Sequence, residues 1–320
     1  CNSQRILIHR MEKFKKIAKI IVRIMLGVVF ILSAAFKIIS IDEFEIYIHS
    51  FGIFNFVVGT FLARVLIAFE FLLGVGLIFK LHYKKVWWLS MLTMVGFTLF
   101  LGYVALFRSG DENCHCFGTI VEVKPLASIF KNIAIILLLF LVKNEEESMC
   151  KFRKWLVIVS LSTSVIVPFV CFPMDTIYNK IVSPIQDFNQ TAFNQLLQDS
   201  TMQNVVIEEE PRLFAFYVAG CRYCRLSMKK INSFFEKNHL DKSKMVVVIV
   251  GLDDHVAQFK AETGSSEYPF YVFHNEQVPI IMKTTFGSFP TFAFVKAGKA
   301  SKVMDYRGLD EMEIVQFLNN

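Results

Sequence analysis

Five apolar runs occupy the first half of the chain, at about 17 to 39, 54 to 79, 86 to 107, 125 to 142 and 155 to 172. An α-helix rises 1.5 Å per residue, so ~18 apolar residues cover about 27 Å, close to the hydrocarbon thickness of a bilayer. Each run therefore predicts a membrane-spanning helix, the fourth of them interrupted by Lys131. Beyond residue 172 the pattern changes. The polar stretch 173 to 190 reads as a tether with some helical character, able to reach about 50 Å when extended. LFAFYVAG (213 to 220) and KMVVVIVGLDD (244 to 254) contain short apolar runs that predict strands buried on both faces. RLSMKKINSFFEKNHL and HVAQFKAETG follow them as helices, FPTFAFVKAGKASKVMDYRG reads as a strand pair with a tight turn, and EMEIVQFLNN as a closing helix. Strand, helix, strand, helix, hairpin, helix predicts a mixed sheet covered by helices.

Basic residues orient the apolar runs. Lys13, Lys15, Lys16 and Lys19 precede the first; Lys80, Lys84 and Lys85 follow the second; Lys143, Lys151, Arg153 and Lys154 lie between the fourth and fifth. Such clusters face the cytoplasm, whereas IDEFEIYIHSFGIFN, acidic and without Lys or Arg, belongs outside. By alternation the loop containing Cys114 and Cys116 and everything after Cys171 also lie outside, in a disulfide-permissive compartment. The net charge of +6 is largely accounted for by this topology, so it calls for no nucleic-acid partner. Met11 reads as a natural start with residues 1 to 10 upstream of it, and the first run as a retained helix and not a cleaved signal. The expected organisation is a cytoplasmic N-terminus (1–16), a four-helix membrane domain with a CxC loop (17–145), a cytoplasmic loop and fifth membrane helix (146–172), a linker (173–190) and an extracytoplasmic α/β domain (191–320).

The chemistry-bearing residues are cysteines. Cys221-Arg222-Tyr223-Cys224 stands between a buried strand and a helix start. There, unpaired backbone N–H groups and the helix dipole lower the pKa of the first thiol. Cys221 is therefore the attacking residue, with Arg222 adding positive charge, and Cys224, one turn in, resolves the mixed disulfide. A structural disulfide or zinc half-site is the plainer alternative. With Phe289-Pro290-Thr291 before the closing hairpin, residues 188 to 320 resemble the thioredoxin superfamily. That resemblance implies a cis Pro290 lying against the reactive disulfide and shaping a client groove. The Trp usual before the motif is replaced, with Ala219-Gly220 standing there.

The apolar runs also hold ionisable groups: Arg23 and Lys37 in the first, Arg64 and Glu70 in the second. Charges at such depth are costly and are paired or functional. From their depths Glu70 and Arg23 are expected to pair, fixing helix registration; the alternative gives Arg23, Arg64 and Glu70 to a cofactor or a proton relay. The first-helix Arg-x3-Gly and later Lys, Glu70 followed by Gly74, and Cys114-His115-Cys116-Phe117-Gly118 after the third run resemble the DoxX-like and methylamine-utilisation MauE families of four-helix membrane proteins, over about 11 to 145. The resemblance implies a membrane partner of a thioredoxin-like protein. The fold class is then a membrane helical bundle, four DoxX/MauE-like helices plus a tethering fifth, with a C-terminal α/β thioredoxin-like domain.

Cysteines at i and i+2 form only a strained, readily reduced disulfide, suited to exchange. Cys221 on a tether of this length would meet Cys114-Cys116 at an effective concentration of order mM. The expected reaction is a two-electron relay between these pairs in a multi-pass protein of a bacterial inner membrane, with the thioredoxin-like domain in the periplasm, acting on cysteine-containing clients. Its use is disulfide formation, or else outward electron delivery for protein maturation. No metal is expected, although Cys-His-Cys leaves a copper-handling reading open, and a third reading makes the bundle a mere anchor. Either a quinone or another membrane electron carrier would take the electrons. Cys171 reads as a lone buried thiol, with a third redox partner as the alternative, and Cys150 as a cytoplasmic thiol.

Overall fold

The apolar runs are helical in the computed structural model, which describes residues 2–107, 125–143, 153–202, 210–274 and 277–320. The chain divides into two compact units, Cys1–Tyr47 with Thr60–Pro173, and Ile48–Gly59 with Met174–Asn320. Helices α1 (Asn2–Ile39), α2 (Ile41–His49), α3 (Phe56–Phe79), α4 (Tyr83–Phe107), α5 (Pro125–Leu141) and α6 (Arg153–Ile166) supply the first unit, apart from the end of α2 and the start of α3, and the last continues as a π-helical turn, Val167–Cys171. Four spans, His9–Ile39, Phe56–Phe79, Tyr83–Phe107 and Arg153–Cys171, are long and apolar enough to cross a bilayer. The fourth expected span is the 17-residue α5, about 25 Å long and at the lower limit for crossing. The protein is a multi-pass membrane protein.

Backbone approach fixes α1 against α3. A Cβ on Gly27 would stand 2.7 Å from the Gly74 carbonyl oxygen, and one on Gly74 would stand 2.7 Å from that of Gly27. Small residues permit such contact where lipid offers no hydrophobic drive to pack helices. Hydrogen bonds join α4 to α5: the Tyr83 hydroxyl donates to Val142 O (2.6 Å) and Trp87 Nε1 to Leu139 O (2.8 Å). Each satisfies a polar group that apolar surroundings would otherwise penalise.

The expected Arg23–Glu70 pair is not formed. Lys37 Nζ instead lies 2.8 Å from both Glu70 carboxylate oxygens, with Ser33 Oγ donating to Glu70 at 3.0 Å. Arg23 donates to the carbonyls of Leu77 and Ile78, which belong to the last turn of α3 and lack helical partners of their own. Its positive charge also suits that negative helix end. Arg64 bonds Glu45, the Thr60 carbonyl and, at 3.0 to 3.1 Å, the carbonyls of Pro168 and Phe172. Both carbonyls stand at the C-terminal end of the π-helical turn, where helical donors run out and Pro173 brings no N–H, so the guanidinium satisfies them.

The second unit holds a five-stranded sheet. Its strands are β1 (Arg212–Val218), β2 (Met245–Val250), β3 (Phe270–Phe273), β4 (Thr291–Lys296) and β5 (Lys299–Met304). Their order is β3-β2-β1-β4-β5, with β1, β2 and β3 parallel and β4 and β5 antiparallel. Ala297 and Gly298, at φ 48° and 74°, close the β4–β5 hairpin, the two positive φ values of a turn matched to strand twist.

Side chains of β1 alternate between two helical layers. Phe214 packs edge-on to Phe193 of α8 (Gln190–Leu197), while Phe214, Phe216 and Ile281 of α11 (Val278–Thr285) share one core. On the opposite face Tyr217 meets Phe259 of α10 (Asp253–Thr263), and Phe294 of β4 meets Phe317 of α12 (Glu311–Leu318). With both faces covered, the strands can be apolar throughout, as LFAFYV and MVVVIV are. This strand order, with CxxC at the helix start after the central strand, is the thioredoxin-like fold.

The stretch 173–190 is not the free tether its polarity suggested. It carries α7 (Asp175–Ile181), where Asp175 pairs with Lys230 at 3.0 Å and Arg307 at 3.3 Å. Ile185 then bridges to Met304 and Gln186 N donates to Val303 O. Residues 48–59 join the same unit. His49 is fully buried, 3.0 Å from Ser233 Oγ and 3.2 Å from Glu311 Oε2, and the Phe56 amide donates to Glu311 at 3.0 Å. Burial pushes the Glu311 carboxyl up, but hydrogen bonds from His49, Asn238, Lys237 and Phe56 outweigh it and hold the group below the usual carboxylate range.

Candidate active site

The site begins where β1 ends. Ala219 and Gly220 turn the chain out of the sheet, Cys221 N donates back to Val218 O at 3.0 Å, and α9 (Arg222–Lys237) starts at once. Cys221 is its N-cap residue, with extended backbone, and its Sγ accepts from the Cys224 amide at 3.4 Å. Sulfur thus takes the capping place usually held by a hydroxyl or carboxylate oxygen. Gly220 has open space beside it. Gly251, after β2, packs so closely that a Cβ there would lie 2.7 Å from Ala219 Cβ, which holds the turn against the sheet.

The two thiols have opposite environments. The Cys221 pKa is lowered to about 6, first by the Cys224 thiol hydrogen-bonding its sulfur, then by the Cys224 and Tyr223 amides and the Arg225 charge, against an opposing effect of burial. Cys224 is fully buried, and burial drives its pKa far up. The cation set against Cys221 is Arg225, which also pairs with Glu262 at 3.0 Å. The sequence pointed to Arg222; helical geometry brings round the residue one turn further on.

These values have kinetic meaning. At pH 7 a thiol of pKa about 6 is roughly nine-tenths thiolate, against about one per cent at its ordinary pKa near 9. Intrinsic nucleophilicity falls along with pKa, by roughly 15- to 30-fold here, so the net gain in attack is about three- to sixfold. The larger benefit comes when Cys221 is the leaving group, because a low-pKa thiolate departs faster. Alkylation of Cys221 followed against pH in the whole protein should therefore show a midpoint near 6, and Cys224→Ala should raise it. A midpoint between about 8 and 9, the range of an unperturbed thiol, would remove the stabilised thiolate.

Pro290 reaches this end of the sheet through strand register. Thr291 pairs with Phe216 across the antiparallel β1–β4 ladder, which sets Pro290 beside the end of β1 from which Cys221 emerges. The Phe289–Pro290 peptide is cis. Tyr223, inside the motif, is half-exposed and stacks on Tyr306 with ring centroids 5.2 Å apart.

The remaining site candidates lie elsewhere. Cys114, His115, Cys116 and Cys150 fall outside the described residues. Cys171, the last residue of a membrane span, is a free thiol that the rest of the protein does not cover. Arg23, Arg64 and Glu70 make separate contacts within the first unit, and each takes protein partners. Among the described residues no group of three or more His, Cys, Asp or Glu is placed to hold a metal. Sequence reading missed the His49–Glu311 pair, whose members stand 262 residues apart.

Comparison with known proteins gives three likenesses. Residues 15–143 match the family model for methylamine utilisation protein MauE. Protein TlpB of Flavobacterium psychrophilum is 26 % identical over 302 residues, covering 78 % of this chain and 81 % of that protein. A secreted disulfide oxidoreductase of Mycobacterium tuberculosis, described as homologous to E. coli DsbE, is 14 % identical at a TM-score of 0.28 and covers 35 % of this chain and 83 % of that one. The thioredoxin-like assignment stands on strand order and motif placement, independently of that last structure. The chain is therefore MauE-like over residues 15–143 and thioredoxin-like in its C-terminal sheet domain, both carried by one polypeptide with a relative similar along most of its length.

Proposed function

We propose that the protein is a membrane-bound thiol-disulfide oxidoreductase that oxidises client cysteines outside the cytoplasm and passes the electrons to its own membrane loop. The observation that carries this reading is the asymmetric pair: a partly exposed Cys221 with a stabilised thiolate above a buried, protonated Cys224. In the oxidised protein, a client thiolate attacks Cys221 Sγ and expels Cys224. A second client thiol then attacks the mixed disulfide, leaving a client disulfide and a reduced Cys221/Cys224 pair that has gained two electrons and two protons. Cys221 thiolate next attacks the Cys114–Cys116 disulfide, and Cys224 resolves the adduct. A quinone or another membrane electron carrier reoxidises the loop pair.

Linkage supports this direction. A thiolate favoured in the folded reduced state stabilises that state relative to the disulfide, which makes the disulfide a better oxidant. Because the Cys221 pKa is depressed, this contribution is fully present above the ordinary thiol pKa and is lost as pH falls through about 6. We place the protein in a bacterial inner membrane, with the C-terminal domain in the periplasm, lipid around the helices, and Pro290 bordering the client groove.

The test uses membranes carrying Cys224→Ser, quenched in acid, alkylated, cleaved between the two portions and resolved without reduction. Lacking a resolving thiol, Cys221 should accumulate joined to Cys114 or Cys116. Client adducts alone would leave the helical portion as an anchor and remove the relay.

A further inference from the structure

Lys84, Lys85, Trp88 and Leu89, in the first turns of α4, line an open groove of about 390 Å³. Their spacing puts them on one face of the helix. Trp87 turns inward: it is buried and spends its indole N–H on Leu139 O at 2.8 Å. Trp88 is exposed, and its own N–H has no partner among the described residues. A third cation arrives from beyond the end of α5, with Lys143 Nζ 5.5 Å from the centre of the Trp87 ring and 6.0 Å from that of Trp88. Among the described residues none of these three lysines forms an ion pair. Past the groove the same face of α4 is apolar. Leu89, Leu92 and Leu99 are exposed along it, and beside Gly96 a Cβ would meet nothing within 4 Å.

We infer that the groove holds the headgroup of an anionic phospholipid. The phosphate lies among Lys84, Lys85 and Trp88 Nε1, and an acyl chain runs along Leu89, Leu92, Gly96 and Leu99. Charge chooses this occupant: three cations with no carboxylate beside them repel one another, and an anion among them removes that cost. A zwitterionic headgroup brings a cation of its own and relieves less. Depth agrees as well, because the groove stands at the end of a membrane span, where indole rings sit among headgroups and lysine stems reach up to them. The apolar stripe separates a lipid from a soluble phosphate, which would have no use for it. Lysines at the end of a span set its orientation wherever they point. Here they also border a groove, together with an unused donor and a cation brought from a second helix. A lipid seated there would bridge α4 to the end of α5, the pair of helices already joined through Tyr83 and Trp87.

The test is native mass spectrometry of the whole protein, stripped of lipid in detergent and offered dioleoyl-phosphatidylglycerol or dioleoyl-phosphatidylcholine. One molecule of the anionic lipid should be retained, at least tenfold more tightly than the zwitterionic one. Lys84→Gln or Lys85→Gln alone should weaken that retention about fivefold, and the two together more than tenfold, with phosphatidylcholine unaffected. The thermal midpoint in phosphatidylcholine should not move, since both side chains are exposed. Lys15→Gln with Lys16→Gln removes the same charge from the exposed basic end of α1 and should leave the preference intact. Equal retention of the two lipids, or equal losses in the two double variants, would overturn the inference. Inorganic phosphate that protects the protein as well as the lipid does would make the groove a soluble-anion site and overturn it too. So would phosphatidylglycerol binding that appears only after Glu145, Glu146 and Glu147, which lie outside the described residues, are changed to glutamine, because the chain's own acidic run would then be the occupant.

Discussion

Cys221→Ser is expected to bring thiol-disulfide exchange by the whole protein down to the uncatalysed background at every pH between about 5 and 9. The thiolate is the nucleophile, and a serine hydroxyl has no accessible anion in that range. Buried Cys224 cannot stand in, since its own ionisation is suppressed by the burial that raises its pKa. The substitution should spare the fold. Cys221 is the N-cap of α9, and serine is among the preferred capping residues, worth about 1 kcal/mol over a non-capping one. Exchange rate and thermal midpoint measured on one preparation should thus part company: rate lost, midpoint level or higher. Exchange that survives would place the attacking thiol elsewhere, on Cys171 or the loop pair. A rate lost together with the midpoint would mean that the sulfur holds the turn at Gly220 in place and would leave its nucleophilic part unproved.

The placement of the CxxC motif was legible because its geometry is local. A buried strand, a two-residue turn and a helix start are adjacent in sequence, and the helix start acts on the residue that caps it. The membrane helices were legible for a similar reason, since length and apolarity are properties of one segment. What failed to show was partnership across the chain. Asp175 and Gln186 look like solvated linker residues until Lys230, Arg307 and Val303 are brought to them. The Arg23–Glu70 expectation failed on axial distance. Arg23 and Lys37 are 14 residues apart, about 21 Å along the helix axis and close to four full turns, so both face α3 at different heights. The Gly27–Gly74 contact sets which height Glu70 meets, and that contact favours Lys37.

Lys37→Met, which leaves Glu70 without its cation, is expected to destabilise the helical unit by about 3–5 kcal/mol, and Glu70→Met by a similar amount, whereas the double substitution should recover most of the loss. Both side chains are almost wholly buried, at 4 % and 1 % exposure, with the nitrogen 2.8 Å from each carboxylate oxygen. A single substitution strands one charge among apolar groups, while removing both strands none and keeps similar volume. Lys37 also lies 5.8 Å from the Phe44 ring and 5.6 Å from that of Phe97, so part of its stabilisation is a cation–π contribution that the double variant would not regain. Thermal unfolding of the three variants in one detergent measures the coupling, and additive losses would show that the charges do not depend on each other. The double variant also decides what the pair is for. Normal reoxidation of Cys221 and Cys224 in membranes carrying it would make the pair a registration device between α1 and α3. A folded double variant that stays reduced would put Lys37 and Glu70 on the route by which electrons or protons leave the protein, a role that stability alone could never reveal.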